Sequence, residues 1–152
     1  MTDTVHGGSF IIARKLFSSN IWTRPPLCLK LWLWIIGQAN HTDHEKGQHT
    51  YRRGDFATTY EKIIKALAYR ENRRVIFPTI KQVRLILAWL ESQGMITVKP
   101  IRVNYLPNKG RDKVQTGAYV GLLISVVNYD TYQAPKTYKG RDKGRPCSLQ
   151  VE

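Results

Sequence analysis

PTIKQVRLILAWLESQGMITV, residues 78–98, reads as a capped amphipathic helix that stops at a glycine and passes at once into a β-branched strand. Thr79 follows a proline and suits an N-cap, with its hydroxyl able to accept from a first-turn amide. Ile80, Val83, Ile86, Leu87 and Leu90 recur at helical spacing and are expected to face inward. Gly94 fits the position just past the helix, where left-handed backbone is needed. The opposite side of the first two turns carries Lys81, Gln82 and Arg84, side chains that can reach phosphate oxygens and base edges. The pattern predicts a recognition helix running into a wing.

The strand that begins at Met95 has a candidate partner. YVGLLISVV (119–127) is rich in β-branched residues, and the intervening LPNKGRDKVQTG (106–117) is turn-forming and basic. Two strands joined by a basic hairpin directly after a helix make a wing. Lys109, Arg111 and Lys113 at its tip are expected to touch the minor groove or adjacent phosphates. Upstream, Thr58 and Glu61 have capping-box spacing, which predicts a helix over 59–69 with Tyr60, Ile63, Ile64 and Leu67 inward. The connection RENRRVIF (70–77) is longer than the turn of the simplest helix-turn-helix. Its Arg70, Arg73 and Arg74 either hold the phosphate backbone or lie in a solvated basic loop.

Towards the N-terminus, 1–9 is polar and expected to fray, and FIIARKLF (10–17) reads as a short helix or an extended segment. Pro25 and Pro26 suit a helix start, and PPLCLKLWLWIIGQAN continues apolar almost all round. A helix like that belongs at the centre of a fold or in a dimer interface, with Trp32 and Trp34 as core or interface residues. HTDHEKGQHTYRR (41–53) is polar and expected to be a loop. Its His41, Asp43, His44, Glu45 and His49 do not follow a standard zinc spacing, so no metal is assigned. Arg53-Gly54-Asp55 reads as a turn into a short strand. From Ala134 the composition shifts to proline, glycine and charge, and 134–152 is expected to be a basic disordered tail.

At 152 residues the chain is most simply one domain plus tails, large enough to bury a core without disulfides or metals. Lys and Arg number 24 against 11 Asp and Glu, giving +13, so the surface draws polyanions. Charge alone does not choose among duplex, single strand, RNA and acidic membrane. The most apolar run, 27–36, is interrupted by Lys30 and too short to cross a bilayer, so no membrane partner is expected. The N-terminus lacks the pattern of a signal peptide, and a cytoplasmic location is expected. Cys28 in the apolar helix and Cys147 in the tail read as free thiols.

Several segments have a recognisable wording. FIIARKLFSSNIWTRPPLCLKLWLWIIGQANH, RRGDFATT, PTIKQVRLILAWLESQGMI and LLISVVNYDTYQ resemble the N-terminal winged-helix domain of phage replisome organizers and DnaD-like primosome proteins. The resemblance covers about 10–133. It rests on Ile21-Trp22, the Arg53-Gly54-Asp55 turn, the helix ending in Gly94-Met95-Ile96, and the closing Asn128-Tyr129-Asp130-Thr131-Tyr132-Gln133. It implies a DNA-binding winged helix, often dimeric and often from prophages, with a replication helicase or its loader as a partner. Members commonly carry a second helical domain, whereas only a short basic tail follows Gln133 here.

The expected fold is therefore α+β, a winged helix-turn-helix over 10–133 with an extra N-terminal apolar helix and a basic β-hairpin wing. The expected function is non-catalytic double-stranded DNA binding in phage or mobile-element replication, with no cofactor. Gln82 would pair with adenine, Arg84 with guanine, and Thr79 would meet phosphate at the helix N-terminus. The alternatives are a stand-alone transcriptional regulator and a protein-interaction module of a primosome-type assembly. An enzyme fits poorly, because the acidic residues are scattered and there is no phosphate-binding glycine loop and no nucleophile beside a base.

Overall fold

Pro25 and Pro26 set the start of the apolar helix, as N-cap and first residue. In a computed structural model, which describes residues 6–46, 49–103 and 118–137, two short 3₁₀ helices, Arg14–Ser18 and Asn20–Thr23, lead into α1, Pro26–Gln38. Pro26 occupies the first turn, where a missing N–H costs nothing. α1 buries Cys28, Leu31, Trp32, Ile35 and Ile36 and keeps Leu27, Leu29 and Trp34 half-buried against the same core. The helix is central, as its all-round apolarity predicts. Burial raises the Cys28 thiol above its usual value, with the Arg24 charge opposing.

The polar stretch after α1 is not a plain loop. β1, His44–Lys46, pairs antiparallel with β2, His49–Tyr51, with Glu45 opposite Thr50. Backbone groups pair there without any apolar alternation, which is why polarity pointed to a loop. Gly54 follows at φ +90° and turns the chain into β3, Asp55–Thr58.

α2, Tyr60–Leu67, is capped by Thr59, whose Oγ1 accepts from the Lys62 amide at 3.2 Å. Thr58, the expected cap, is instead the last residue of β3, buried and in register with Leu122. Ile63 and Leu67 are buried, and Tyr60 and Ile64 are half-buried. The helix ends before 69 because Tyr69 opens β4, Tyr69–Glu71, which pairs with β5, Arg74–Ile76. The expected loop at 70–77 is thus a hairpin. Asn72 and Arg73 both take positive φ, 47° and 67°, the geometry that lets a two-residue turn match strand twist.

α3, Ile80–Ser92, starts with a full capping box: Thr79 Oγ1 accepts from the Gln82 amide and Gln82 Oε1 accepts from the Thr79 amide. Its end is equally defined, with Gly94 at φ +70°, the Gly94 amide donating to Glu91 and the Met95 amide to Leu90. Val83, Ile86, Leu87 and Leu90 are buried, but Ile80 is 48% exposed. It sits at the edge of the stripe, one turn before Val83, where neighbouring elements leave it open.

β6, Ile96–Val103, and β7, Ala118–Val126, complete a three-stranded antiparallel sheet in the order β3-β7-β6. Ile124 of the central strand lies between Phe56 and Val98, and this row faces the core with Leu122, Val126 and Ile96. Pro100 falls on the edge strand, where its missing donor is tolerated. α1 packs on α2, α2 on α3, and α3 on β6. α4, Tyr129–Gln133, and a 3₁₀ turn, Pro135–Thr137, close the described chain. Gln133 holds the N-terminal segment: its Nε2 donates to the Ile11 carbonyl at 2.9 Å and its Oε1 accepts from the Ile11 amide at 2.8 Å. Among the described residues no helix is long and apolar enough to cross a membrane.

Candidate nucleic-acid interface

Residues at four- and three-residue steps share one helical face, so burying Val83, Ile86, Leu87 and Leu90 turns Lys81, Leu85, Ala88 and Ser92 outward. All four are exposed, and so are Arg84 and Gln82 on either flank. Leu85, at the centre of this face, is 62% exposed. Reading the apolar stripe hid it, because a leucine beside Ile86 and Leu87 looks like core. Its angular position, one turn from Lys81, is the signal that finds it.

The three predicted helix residues have different degrees of freedom. Lys81 extends from the first turn, whereas the Gln82 carbonyl oxygen is engaged by the cap and the Thr79 hydroxyl accepts from the Gln82 amide. Arg84 leans to one side, its guanidinium carbon 5.3 Å from the centre of the Tyr60 ring. Tyr60 in turn lies near-parallel to Tyr119 of β7, with centroids 6.5 Å apart and planes 26° from parallel. Together they border a cleft of about 470 Å³ between α3 and the β6–β7 ribbon, lined also by Leu87, Ala88, Glu91, Val98, Pro100 and Leu122. Desolvation, and to a lesser degree Tyr60, raise the Tyr119 phenol above its usual value, with Arg84 opposing. On the other flank of α3, Arg24 stacks over Trp89 at 4.4 Å.

Arg70, Arg73 and Arg74 are all exposed, but the hairpin divides them. Arg70 shares a strand face with Val75, and Arg74 shares the other with Glu71, its register partner. Arg73 occupies the turn itself. Lys109, Arg111 and Lys113 lie outside the described residues, as does Cys147. What is described of the ribbon carries Lys99 and Arg102 on β6, with Arg102 in register opposite Tyr119.

The histidine-rich segment has another use for its side chains. His41 Nδ1 lies 2.6 Å from the Tyr129 hydroxyl, and the Arg53 guanidinium bonds both the His41 carbonyl and the Asp130 carboxylate. Asp43 accepts from the Arg53 amide at 2.7 Å. These contacts tie the Arg53-Gly54-Asp55 turn to α4. Among the described residues no three His, Cys, Asp or Glu gather as a metal site.

Comparison of the chain with protein-family models, with curated proteins and with solved structures finds no match.

Proposed function

We propose that this protein binds double-stranded DNA without catalysis, as a winged helix-turn-helix whose α3 enters the major groove. The observation that carries the reading is the outer face of α3, where Lys81, Arg84 and Leu85 are all open to solvent on a chain of net charge +13. Leaving aside the small hairpins β1–β2 and β4–β5, the element order α1, β3, α2, α3, β6, β7, with β7 between β3 and β6, supports the winged form. In this reading Lys81 and Arg84 meet phosphate and guanine, Gln82 reads adenine with the part of its amide the cap leaves over, and Thr79 lies against phosphate. Leu85, exposed on the same face, meets a thymine methyl in this reading. Arg70, Arg73 and Arg74 hold the backbone, and Lys109, Arg111 and Lys113 clamp from the wing. The Arg73 backbone supports a role for its side chain, since φ +67° is a conformation where glycine is ordinarily preferred. The likeness of the motif wording to replisome organizers favours replication initiation in a cytoplasmic phage or mobile-element setting, with a helicase or loader as partner and a homodimer as the working form.

The test is selection from a pool of randomised duplexes, followed by titration of the winner against salt. Neutralising ~5–8 phosphates gives a log–log slope of about −4.5 to −7. A pool that yields no preferred sequence, or a slope near zero, would overturn the proposal.

A further inference from the structure

The cleft between α3 and the β6–β7 ribbon holds chemistry that major-groove docking does not use. Tyr119 is 46% exposed and offers a ring face, and Tyr60 stands behind it at 6.5 Å. Leu87 and Ala88 of α3 line one side, with Val98, Pro100 and Leu122 of the sheet on the other. Besides Arg84, which the duplex reading commits to the major groove, one charged residue borders this apolar and aromatic surface: Glu91, a hydrogen-bond acceptor two helical turns further along α3.

That combination selects its occupant. A phosphate would gain nothing from the tyrosines and would be repelled by Glu91. An acidic peptide meets the same objection, and an aliphatic side chain would offer the Glu91 carboxylate no donor. A nucleobase is planar, stacks on tyrosine, and carries N–H donors on one edge, so it can use the ring and the Glu91 carboxylate together. Bases inside a duplex are already stacked on both faces, which leaves the unpaired base as the form that can enter. The net charge of +13 draws the attached backbone to the protein, and Arg102 stands opposite Tyr119 in the ribbon.

We propose that this cleft receives one unpaired nucleobase of single-stranded DNA, so that the protein grips a duplex together with an adjoining unpaired segment. The inference rests on the DNA-binding reading above, and one experiment separates the two. Fluorescence anisotropy of the full chain is measured on a blunt duplex and on the same duplex carrying a single-stranded oligothymidine extension. The extension is expected to tighten binding by roughly 5- to 150-fold, the range for stacking one base on an aromatic side chain. Tyr119→Ala should abolish that gain and leave blunt-duplex affinity unchanged, while Tyr119→Phe retains it. Glu91→Ala, on the exposed helix surface, should lower the gain without touching the rings. Equal affinity of the unsubstituted protein for the two DNAs would overturn the cleft proposal and leave duplex binding standing. So would an equal loss on both DNAs from Tyr119→Ala and Glu91→Ala. Failure to bind blunt duplex, alongside a Tyr119-dependent grip on the extension, would support the cleft and remove the duplex reading.

Discussion

Gly54 and Tyr129 approach so closely that a Cβ on the glycine would lie 2.8 Å from the tyrosine Cβ. Gly54 also holds φ +90°, so a side chain there is opposed both by its own backbone and by α4. At Gly94, φ is +70° but the space around it is open. Gly94→Ala should therefore lose only the backbone term, about 1–2 kcal/mol. Gly54→Ala adds an overpacking term of about 1–3 kcal/mol and should lower Tm by the larger amount, at about 2–4 °C per kcal/mol. Thermal unfolding of the two variants checks the order. Equal losses would mean that the contact between the Arg53-Gly54-Asp55 turn and α4 carries no packing constraint.

The same pair shows what the sequence could and could not disclose. A glycine between Arg53 and Asp55 announces a turn, because chain reversal is a local property. Its partner is 75 residues away, and no spacing rule links Gly54 to Tyr129. The bounds of α3 were legible, because Thr79 and Gly94 encode local hydrogen bonds, whereas the exposure of Ile80 and Leu85 and the Gln82 half of the capping box were not. The two small hairpins were not, since their strands, β1 with β2 and β4 with β5, are held by backbone pairing that side-chain polarity does not report. Lys30 is a similar case. It looks like an interruption in an apolar run, yet its amine donates to the carbonyls of Leu67 and Ala68 and closes the end of α2. On the candidate face, charge and helical spacing predict the exposure of Lys81 and Arg84. Tyr60 and Tyr119 required the tertiary fold, which brings the first residue of α2 against β7.

Adjacent threonines test the cap of α2. Thr59 Oγ1 accepts from the Lys62 amide, and Thr59→Ala should cost about 1 kcal/mol. The Thr58 hydroxyl is buried and finds no hydrogen-bond partner among the described residues. A buried hydroxyl without a partner is destabilising, so Thr58→Val should be neutral or stabilising. Denaturant unfolding of the two variants gives the answer. A loss at Thr58→Val larger than at Thr59→Ala would shift the helix start by one residue.

Gln82 serves the helix and, in the proposed complex, the DNA, and one substitution separates the duties. Glutamate can replace glutamine in a capping box, and its charge is favourable at a helix N-terminus. Gln82→Glu should therefore keep the Thr79 amide bonded and hold Tm, whereas Gln82→Ala should lose about 0.5–1.5 kcal/mol with that bond. On DNA the glutamate lacks the side-chain N–H that Gln82 would give to adenine and faces phosphate with like charge. Preference at one position should fall by about 1–3 kcal/mol. Affinity and sequence preference matching the unsubstituted protein would confine Gln82 to its structural duty.

Arg73 offers the opposite separation, a substitution that should improve the fold and weaken the proposed DNA contact. Left-handed backbone at φ +67° costs an arginine about 1–2 kcal/mol, part of which glycine recovers while losing more chain entropy on folding. The net expectation for Arg73→Gly is a stabilisation of about 0.5–1 kcal/mol, read as a rise in Tm. Loss of the guanidinium from the turn of the β4–β5 hairpin should weaken binding to duplexes of every sequence alike. The log–log salt slope should become shallower by about 1, the signature of one phosphate contact removed. A sequence-dependent loss would move Arg73 from the backbone to a base edge. A fall in Tm would show that its side chain supports the hairpin through contacts of its own.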